Sequence, residues 1–450
     1  MLAMCIVAGA AYSIKIEVTG GSVGPEPIMI LHTGDNEQGG HEVVAIILND
    51  LVQSGLFVDV GSQCKVCKAD LAKLSKQSAV SGNPHLMQLK QDGARYLALV
   101  RVTGIMKTIK ATLIDVTTGK ILLDSVGTEL KDREAAHDIA DKIYKRITNE
   151  DGYFNTQIVY VETVPGVATS MRRTKVVVID QDGDRRKEVT DGLALSLTPR
   201  YGWTDRHTIV YVLIDDRERT PAMRVAQAYT LNLKMKSRKR LIGDRMLAAL
   251  QSKNQGAPVQ MSYAPRLSPD GRSAVLAVAI RGTSAIYAID IGGDKITQIT
   301  QHGCIDTSPS FSNDGKFIVF TSNRHGTEAI YRARPDGSDV VRLSGGEGKY
   351  SQPAWSPRGD LIAFTKQHKG TFFIGVMKTD GTGERLIASG GYVVEAPSWV
   401  ANGRYVVYTE AMRGGKSRIV MIDITGRHKR YIDTYGDASS PSCSPPFTGA

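Results

Sequence analysis

What this chain has little of narrows its chemistry before any motif is read. Its 450 residues contain five cysteines, three tryptophans and 6% aromatics. No apolar run nears the ~20 residues that a membrane-spanning helix requires. No H-E-x-x-H, phosphate-binding glycine loop or Rossmann glycine pattern occurs, and the nine histidines stand singly rather than in ligand pairs. Those absences remove the common zinc-protease and nucleotide-binding classes. The lone C-x-x-C, Cys64 to Cys67, lacks the second pair or histidine partners of a zinc site, so a local disulfide or two free thiols is expected there. One G-x-S-x-G match centres on Ser22, but a nucleophile elbow needs a helix right after the serine, and Pro25-Glu26-Pro27 forbids one. Neither a catalytic centre nor a cofactor is expected.

Other shortages bear on partners and location. The formal charge is +10, and the densest basic run, "KMKSRKR" (234–240), has no interleaved base-stacking aromatics. It reads as a solvated hairpin, not a nucleic-acid surface. No Lys or Arg precedes the initial apolar run, which ends in Ala8-Gly9-Ala10, a small-x-small pattern read by signal peptidases. Residues 1–10 are therefore expected to be a shortened signal peptide. Asp180, Asp182, Asp184 and Asp191 sit at four positions of a calcium loop, yet Arg185 stands where that loop needs glycine. A hairpin turn at Asp182-Gly183 explains them, and no metal is expected.

What is present is a repeat. Pro265, Pro309, Pro353, Pro397 and Pro441 open closely similar segments at a constant interval of 44 residues, such as "PSFSNDG" and "PAWSPRG". Each unit holds a proline-led strand, two apolar β runs, an Asp-Gly pair expected to form a two-residue type I′ turn, and a short polar run. Four strands per 44 residues is the period of a propeller blade. "QIVYVE" (157–162) and "KVVVID" (175–180) form a blade without its first strand, while "SPSCSP" (440–445) is a first strand without its blade. Joined, they close a ring of six blades, the second being a degenerate copy begun by "TPRYGWTDRHTIVYV". Cys443 replaces the Phe311, Trp355 and Trp399 of other copies and reads as a small core residue. The first ~150 residues differ: amphipathic helices at 41–57 and 134–148 accompany four strand candidates. The expected architecture is a small α/β domain (11–151) followed by an all-β six-bladed propeller (152–450).

First strands line a propeller's axis, so the loops leading into them should ring one mouth of the channel. These loops ("MSYA", "CIDTS", "KYSQ", "VVEA", "DASS") vary from copy to copy, as an asymmetric partner would demand or as neutral loop drift would leave them.

With "SIKIEVTGG", "LNDLVQSGLF", "GARYLALVRVTG", "FNTQIVYV" and the ordered blades, the chain resembles the TolB family, periplasmic propeller proteins of the Tol–Pal system. The resemblance implies a non-enzymatic periplasmic adaptor, monomeric before complex formation, that supports outer-membrane integrity and constriction at division. It implies that the lipoprotein Pal is received at Met261, Ser262, Ala264, Thr307, Gln352 and Glu395. The inner-membrane protein TolA would take up Ile14, Lys15, Ile16, Glu17 and Val18, whose alternation suits strand addition. The alternatives are another envelope glycan or lipoprotein at the same mouth, or a propeller-gated hydrolase, for which ~150 residues leave too little chain.

Overall fold

The protein is described from a computed structural model covering residues 24–447 except 64–69, 72–73, 75–81, 105–107, 129–131, 167–172, 218–224, 391 and 415. The leader, Ile14 to Val18, Ser22, and the Cys64 and Cys67 pair lie outside the described residues.

The N-terminal sheet comprises β1 (Glu26–His32), β2 (Phe57–Asp59), β3 (Tyr96–Thr103), β4 (Thr108–Asp115) and β5 (Lys120–Gly127), in the order β2-β1-β3-β4-β5. Alternation along β1 decides its layers. Ile28 and Ile30 face α1 (Glu37–Gln53) and α3 (Asp132–Thr148), whereas Met29 and Leu31 face α2 (Pro84–Gln91). The first helix begins four residues earlier than its apolar period suggests, because the Asn36 side chain accepts a hydrogen bond from the Gly39 N–H at 2.9 Å and caps it. It ends at Gln53, close to the stop near Gly55 that its apolar period implies, and Phe57 beyond it pairs in parallel with β1 as β2. Neither β2 nor the eight-residue α2 was expected, both being too short for a periodic signal.

Six four-stranded antiparallel sheets follow. Blade 1 takes its inner strand from the C-terminus: Ala438–Cys443 pairs with Gln157–Thr163, so the ring is closed by strands from opposite ends of the propeller. The inner strands of blades 2 to 6 are Leu195–Tyr201, Val259–Leu267, Asp306–Phe311, Lys349–Trp355 and Val393–Trp399. The long interval before blade 3 contains helix α4 (Asp244–Lys253), which sequence periodicity did not reveal. The basic run lies on an exposed hairpin, Gln227–Asn232 with Ser237–Arg240.

The Asp-Gly turns are not type I′. Gly337, Gly381 and Gly183 have positive φ, but the preceding aspartates do not. Gly337 N–H donates to the Arg334 carbonyl (2.9 Å) and Arg334 N–H to that of Ser338 (2.8 Å), a longer loop closed by a left-handed glycine. Pro335 cannot adopt positive φ, and the Asp336 carboxylate accepts from the Ser338 N–H and hydroxyl, fixing the loop from within.

The two domains share one core. Ile47 and Leu51 of α1 and Tyr144 of α3 join Tyr153, Phe154, Ile158, Tyr405 and Met421 in a single buried cluster. Polar bonds frame it: Tyr405 OH donates to the Ser54 carbonyl (2.7 Å), and Arg430 bonds both Gln53 Oε1 (2.7 Å) and Gln181 Oε1 (2.6 Å). Within the frame, fully buried Asp50 contacts His137 Nδ1 at 2.6 Å and accepts from Gln181 Nε2 at 2.9 Å. Burial raises the Asp50 pKa; that of His137 is raised by Asp50 against burial, which opposes its charge.

Asp141 of α3 ties the interdomain junction, accepting from the N–H groups of Phe154 (2.8 Å) and Asn155 (3.2 Å). Gly152 passes so close that a Cβ there would lie 2.1 Å from Asp141 Oδ1. Burial holds the Asp141 carboxyl up at about 7, despite the two N–H donors. A raised carboxyl binds its proton more tightly folded than unfolded, so its contribution to stability is lost as pH climbs from about 4 through about 7. The unfolding free energy from chemical denaturation should therefore fall across that window by at most about 1.4 kcal/mol per pH unit for this proton. The slope should flatten in Asp141→Asn, and an unchanged slope would assign the pH dependence elsewhere.

Candidate functional site

The channel is built from one repeated irregularity. In every inner strand the residue before the proline has positive φ: Thr198 (44°), Ala264 (50°), Ser308 (52°), Gln352 (52°), Ala396 (57°) and Ser440 (55°). None is glycine, and left-handed backbone costs a non-glycine residue roughly 1–2 kcal/mol. In blades 3 to 6 and blade 1 the ladder slips at this point, between Tyr263 and Arg266, Thr307 and Ser310, Ser351 and Ala354, Glu395 and Ser398, and Ser439 and Ser442. In blade 2 the same slip falls between Leu197 and Arg200, which pair with Val212 and Val210. The bulge turns backbone donors toward the preceding blade. Gln352 N–H reaches Thr321 Oγ1 (3.1 Å), Ala396 N–H reaches Gln352 Oε1 (2.8 Å), and Ser440 N–H reaches Thr409 Oγ1 (2.8 Å). Past the proline, Trp355 N–H bonds Ser310 Oγ and Tyr201 N–H bonds Ser442 Oγ, each at 3.1 Å.

The residues singled out in the sequence occupy the first halves of these strands. Met261, Ser262, Ala264, Thr307, Gln352 and Glu395 are strand residues, not loop residues as expected, because pairing with the second strand runs through the lead-in segments. They differ in availability. Met261 is 41% exposed, whereas Ser262 is 5% exposed and its Oγ accepts from the Ala228 N–H of blade 2 at 2.9 Å. Gln352 Oε1 accepts from both Ala396 N–H and Thr365 Oγ1 (2.9 Å) and so joins blades 5 and 6. Glu395 is half-buried; burial raises its pKa and the charge of Arg200 lowers it.

Around this mouth stand apolar side chains that sequence reasoning did not assign: Ile305 (47% exposed), Tyr392 (63%), Met412 (49%) and Tyr435 (70%). Ile305, Tyr392 and Tyr435 precede the inner strands of blades 4, 6 and 1, and Met412 follows the second strand of blade 6. Their signal was weak: apolar residues at strand approaches, where polar ones would cost nothing. Such a crown around polar backbone matches the make-up of protein-recognition surfaces. The described part of the N-terminal domain docks at the opposite ends of the strands, where Tyr405 begins the second strand of blade 6.

Among the described residues, Asp50, His137 and Asp182 come within metal-ligand reach of one another. The cluster is already engaged: Arg133 binds Asp182, Arg185 Nε donates to Asp180 at 2.6 Å, and Gln181 binds Asp50. These acids form part of the domain junction, and the calcium-like stretch supplies its propeller side. Cys443 is buried in the shared core, and burial pushes its thiol up to about 12.

Comparison with known proteins follows the two-part architecture. Residues 14–122 match the model of the TolB amino-terminal domain, and residues 144–447 match that of the TolB beta propeller domain. The Tol-Pal system protein TolB of Rickettsia prowazekii (strain Madrid E) is 36% identical over 292 residues, 61% of this chain and 57% of the relative. That of Rickettsia bellii (strain OSU 85-389) is 36% identical over 289 residues, with the same coverages. The chain thus spans little more than half the length of the curated relatives it matches. The crystal structure of TolB from Acinetobacter baumannii superposes with a TM-score of 0.76 at 23% identity, over 94% of this chain and 97% of that one, a likeness of fold.

Since Gln352 bridges two blades, Gln352→Ala orphans the Ala396 N–H. It should lower the unfolding free energy by about 1–3 kcal/mol. Thr307→Ser, which keeps a hydroxyl, should stay within about 0.5 kcal/mol. Equal stabilities in chemical denaturation would show that the Gln352 bond does not hold the seam.

Proposed function

The chain belongs to the TolB family, and from that membership we propose that it is a non-enzymatic adaptor of the Tol–Pal system, working in the periplasm. Its lead-in mouth receives the lipoprotein Pal, and its extreme N-terminal segment is taken up by TolA. In this reading residues 1–10 are a leader, residues 11–151 the partner-presenting domain, and residues 152–450 the propeller. The observation that carries it is the exposed apolar crown of Met261, Ile305, Tyr392, Met412 and Tyr435 around the lead-in ends of the inner strands.

In this reading the contact residues would play distinct parts. Thr307 and Glu395 are half-buried inside the crown and would meet polar groups of the incoming protein. Ala264, held at a φ of 50°, adds little side-chain bulk at the mouth. Gln352 and Ser262 act through the seams and would shape the surface more than touch the partner. Interfaces of this design concentrate their energy in a few central residues, with the surrounding contacts excluding water. For TolA, alternating Ile14, Ile16 and Val18 suit an added strand in which backbone bonds give affinity and alternate side chains give specificity. A monomer is sufficient for both contacts.

The test is calorimetric titration of residues 11–450 with the soluble domain of the Pal-like lipoprotein of the same organism. One-to-one binding is expected, weakened by about 2 kcal/mol or more, roughly 30-fold, in Thr307→Arg. Binding to the corresponding TolA domain should vanish on deleting residues 14–18, leaving the Pal affinity unchanged. Absence of Pal binding by a folded chain, or an unmoved affinity in Thr307→Arg, would refute the partner or the site.

A further inference from the structure

Beyond the bulges, toward the turns that join first and second strands, the channel opens into a cavity of about 140 Å³. It lies at the far end of the inner strands from the crown, and its walls include the side chains of Arg200, Tyr201, Arg266, Trp355 and Trp399. Its polar chemistry is one-sided. Arg200, only 5% exposed, uses Nη1 on the carbonyls of Pro441 (2.5 Å) and Ser440 (3.4 Å), and its Nε has no partner among the described residues. Trp355 Nε1 and the Tyr201 hydroxyl, on side chains 5% and 7% exposed, are likewise unpartnered. Trp399 Nε1, by contrast, is satisfied by the Ala354 carbonyl at 2.8 Å.

Arg266 is the more exceptional group. It occupies the position after the proline in blade 3, as Arg200 does in blade 2, and its hydrogen bond to the Pro265 carbonyl is long, at 3.3 Å. Among the described residues, no carboxylate lines the cavity. The nearest acid acting on Arg200 is Glu395, toward the crown, and Arg200 itself repels Arg266. Burial and that repulsion both work against the Arg266 charge, and burial lowers Arg200 to about 10. Arg200 is enclosed and Arg266 half-buried, and among the described residues neither has a carboxylate hydrogen-bonded to its guanidinium, an arrangement tolerated where something else supplies the charge. Every unsatisfied group here is a hydrogen-bond donor, and guanidinium forks match planar or tetrahedral oxyanions.

We propose that this turn-side cavity is a binding site for a small oxyanion, a dicarboxylate or phosphate, held by Arg200 and Arg266 and oriented by the Trp355 N–H and Tyr201 O–H. The bound charge would lie on the propeller axis, where it satisfies inner strands from several blades at once. The inference stands apart from the crown and does not depend on which protein docks there.

The experiment titrates the full chain with inorganic phosphate and with malonate at constant ionic strength set by chloride, following heat and thermal unfolding. A saturable heat and a concentration-dependent rise in Tm are expected with phosphate, malonate or both, and the anion that works names the class. Arg266→Met should abolish both signals while keeping a cooperative unfolding transition, since among the described residues that side chain bonds only its neighbour's carbonyl. Trp355→Phe keeps the ring and removes one donor to a charged ligand, so binding should weaken about 10-fold. If Arg266→Met does not fold, the tryptophan variant decides. No saturable response to either anion, or undiminished responses in the folded variants, would overturn the proposal.

Discussion

A residue held at positive φ directly before a proline is the constraint on which this ring depends. A β-bulge breaks the ladder and would ordinarily strand a backbone donor, but the residue just past the break here is proline, which has none. The donor of the preceding residue is freed instead, and in three seams it finds a side-chain oxygen on the neighbouring blade. Six non-glycine residues accept an unfavourable backbone so that adjacent sheets can be joined by directional bonds near the axis as well as by packing. That is why the repeated proline keeps its interval while the residues before it vary: the backbone geometry is common to all blades, and the side chains need only supply an acceptor or stay small.

The same arrangement divides the channel into two chemistries. Before the proline, side chains point to the crowned mouth, where exposed apolar groups surround half-buried Thr307 and Glu395. After it, they point to the turn-side cavity, where donors predominate. One bulge therefore assigns neighbouring residues of a single strand to different ends of the molecule.

Much of this was legible in the sequence because the 44-residue interval is long and repeated, and because apolar runs of period two have no other economical use. The ring closure by the C-terminal strand followed from a blade missing its first strand and a strand missing its blade. Several features were not legible. The Asp-Gly pairs suggested a two-residue turn, but Pro335 and the Asp336 side chain select a longer one, a choice made by local steric and hydrogen-bonding detail that the dipeptide alone does not carry. The repeat placed the lead-in segments near the axis and the resemblance picked out Met261, Thr307, Gln352 and Glu395 within them, yet that Gln352 bridges blades while Met261 stands free depends on neighbours far away in the chain. The facing of Arg200 and Arg266 was hidden for the same reason: 66 residues and an intervening helix separate two positions that are equivalent only in the folded ring.

The shared core sets an order on the life of the chain. Its members run from Ile28 to Cys443, and one of the bonds that frame it, from Tyr405 to Ser54, spans 351 residues. Nearly the whole polypeptide must therefore be present before the N-terminal domain has a surface to dock on and before blade 1 has its inner strand. Contacts of such separation form late and slowly, since the loop between them must be closed first. A chain still being made would lack this closing element until its last strand arrives.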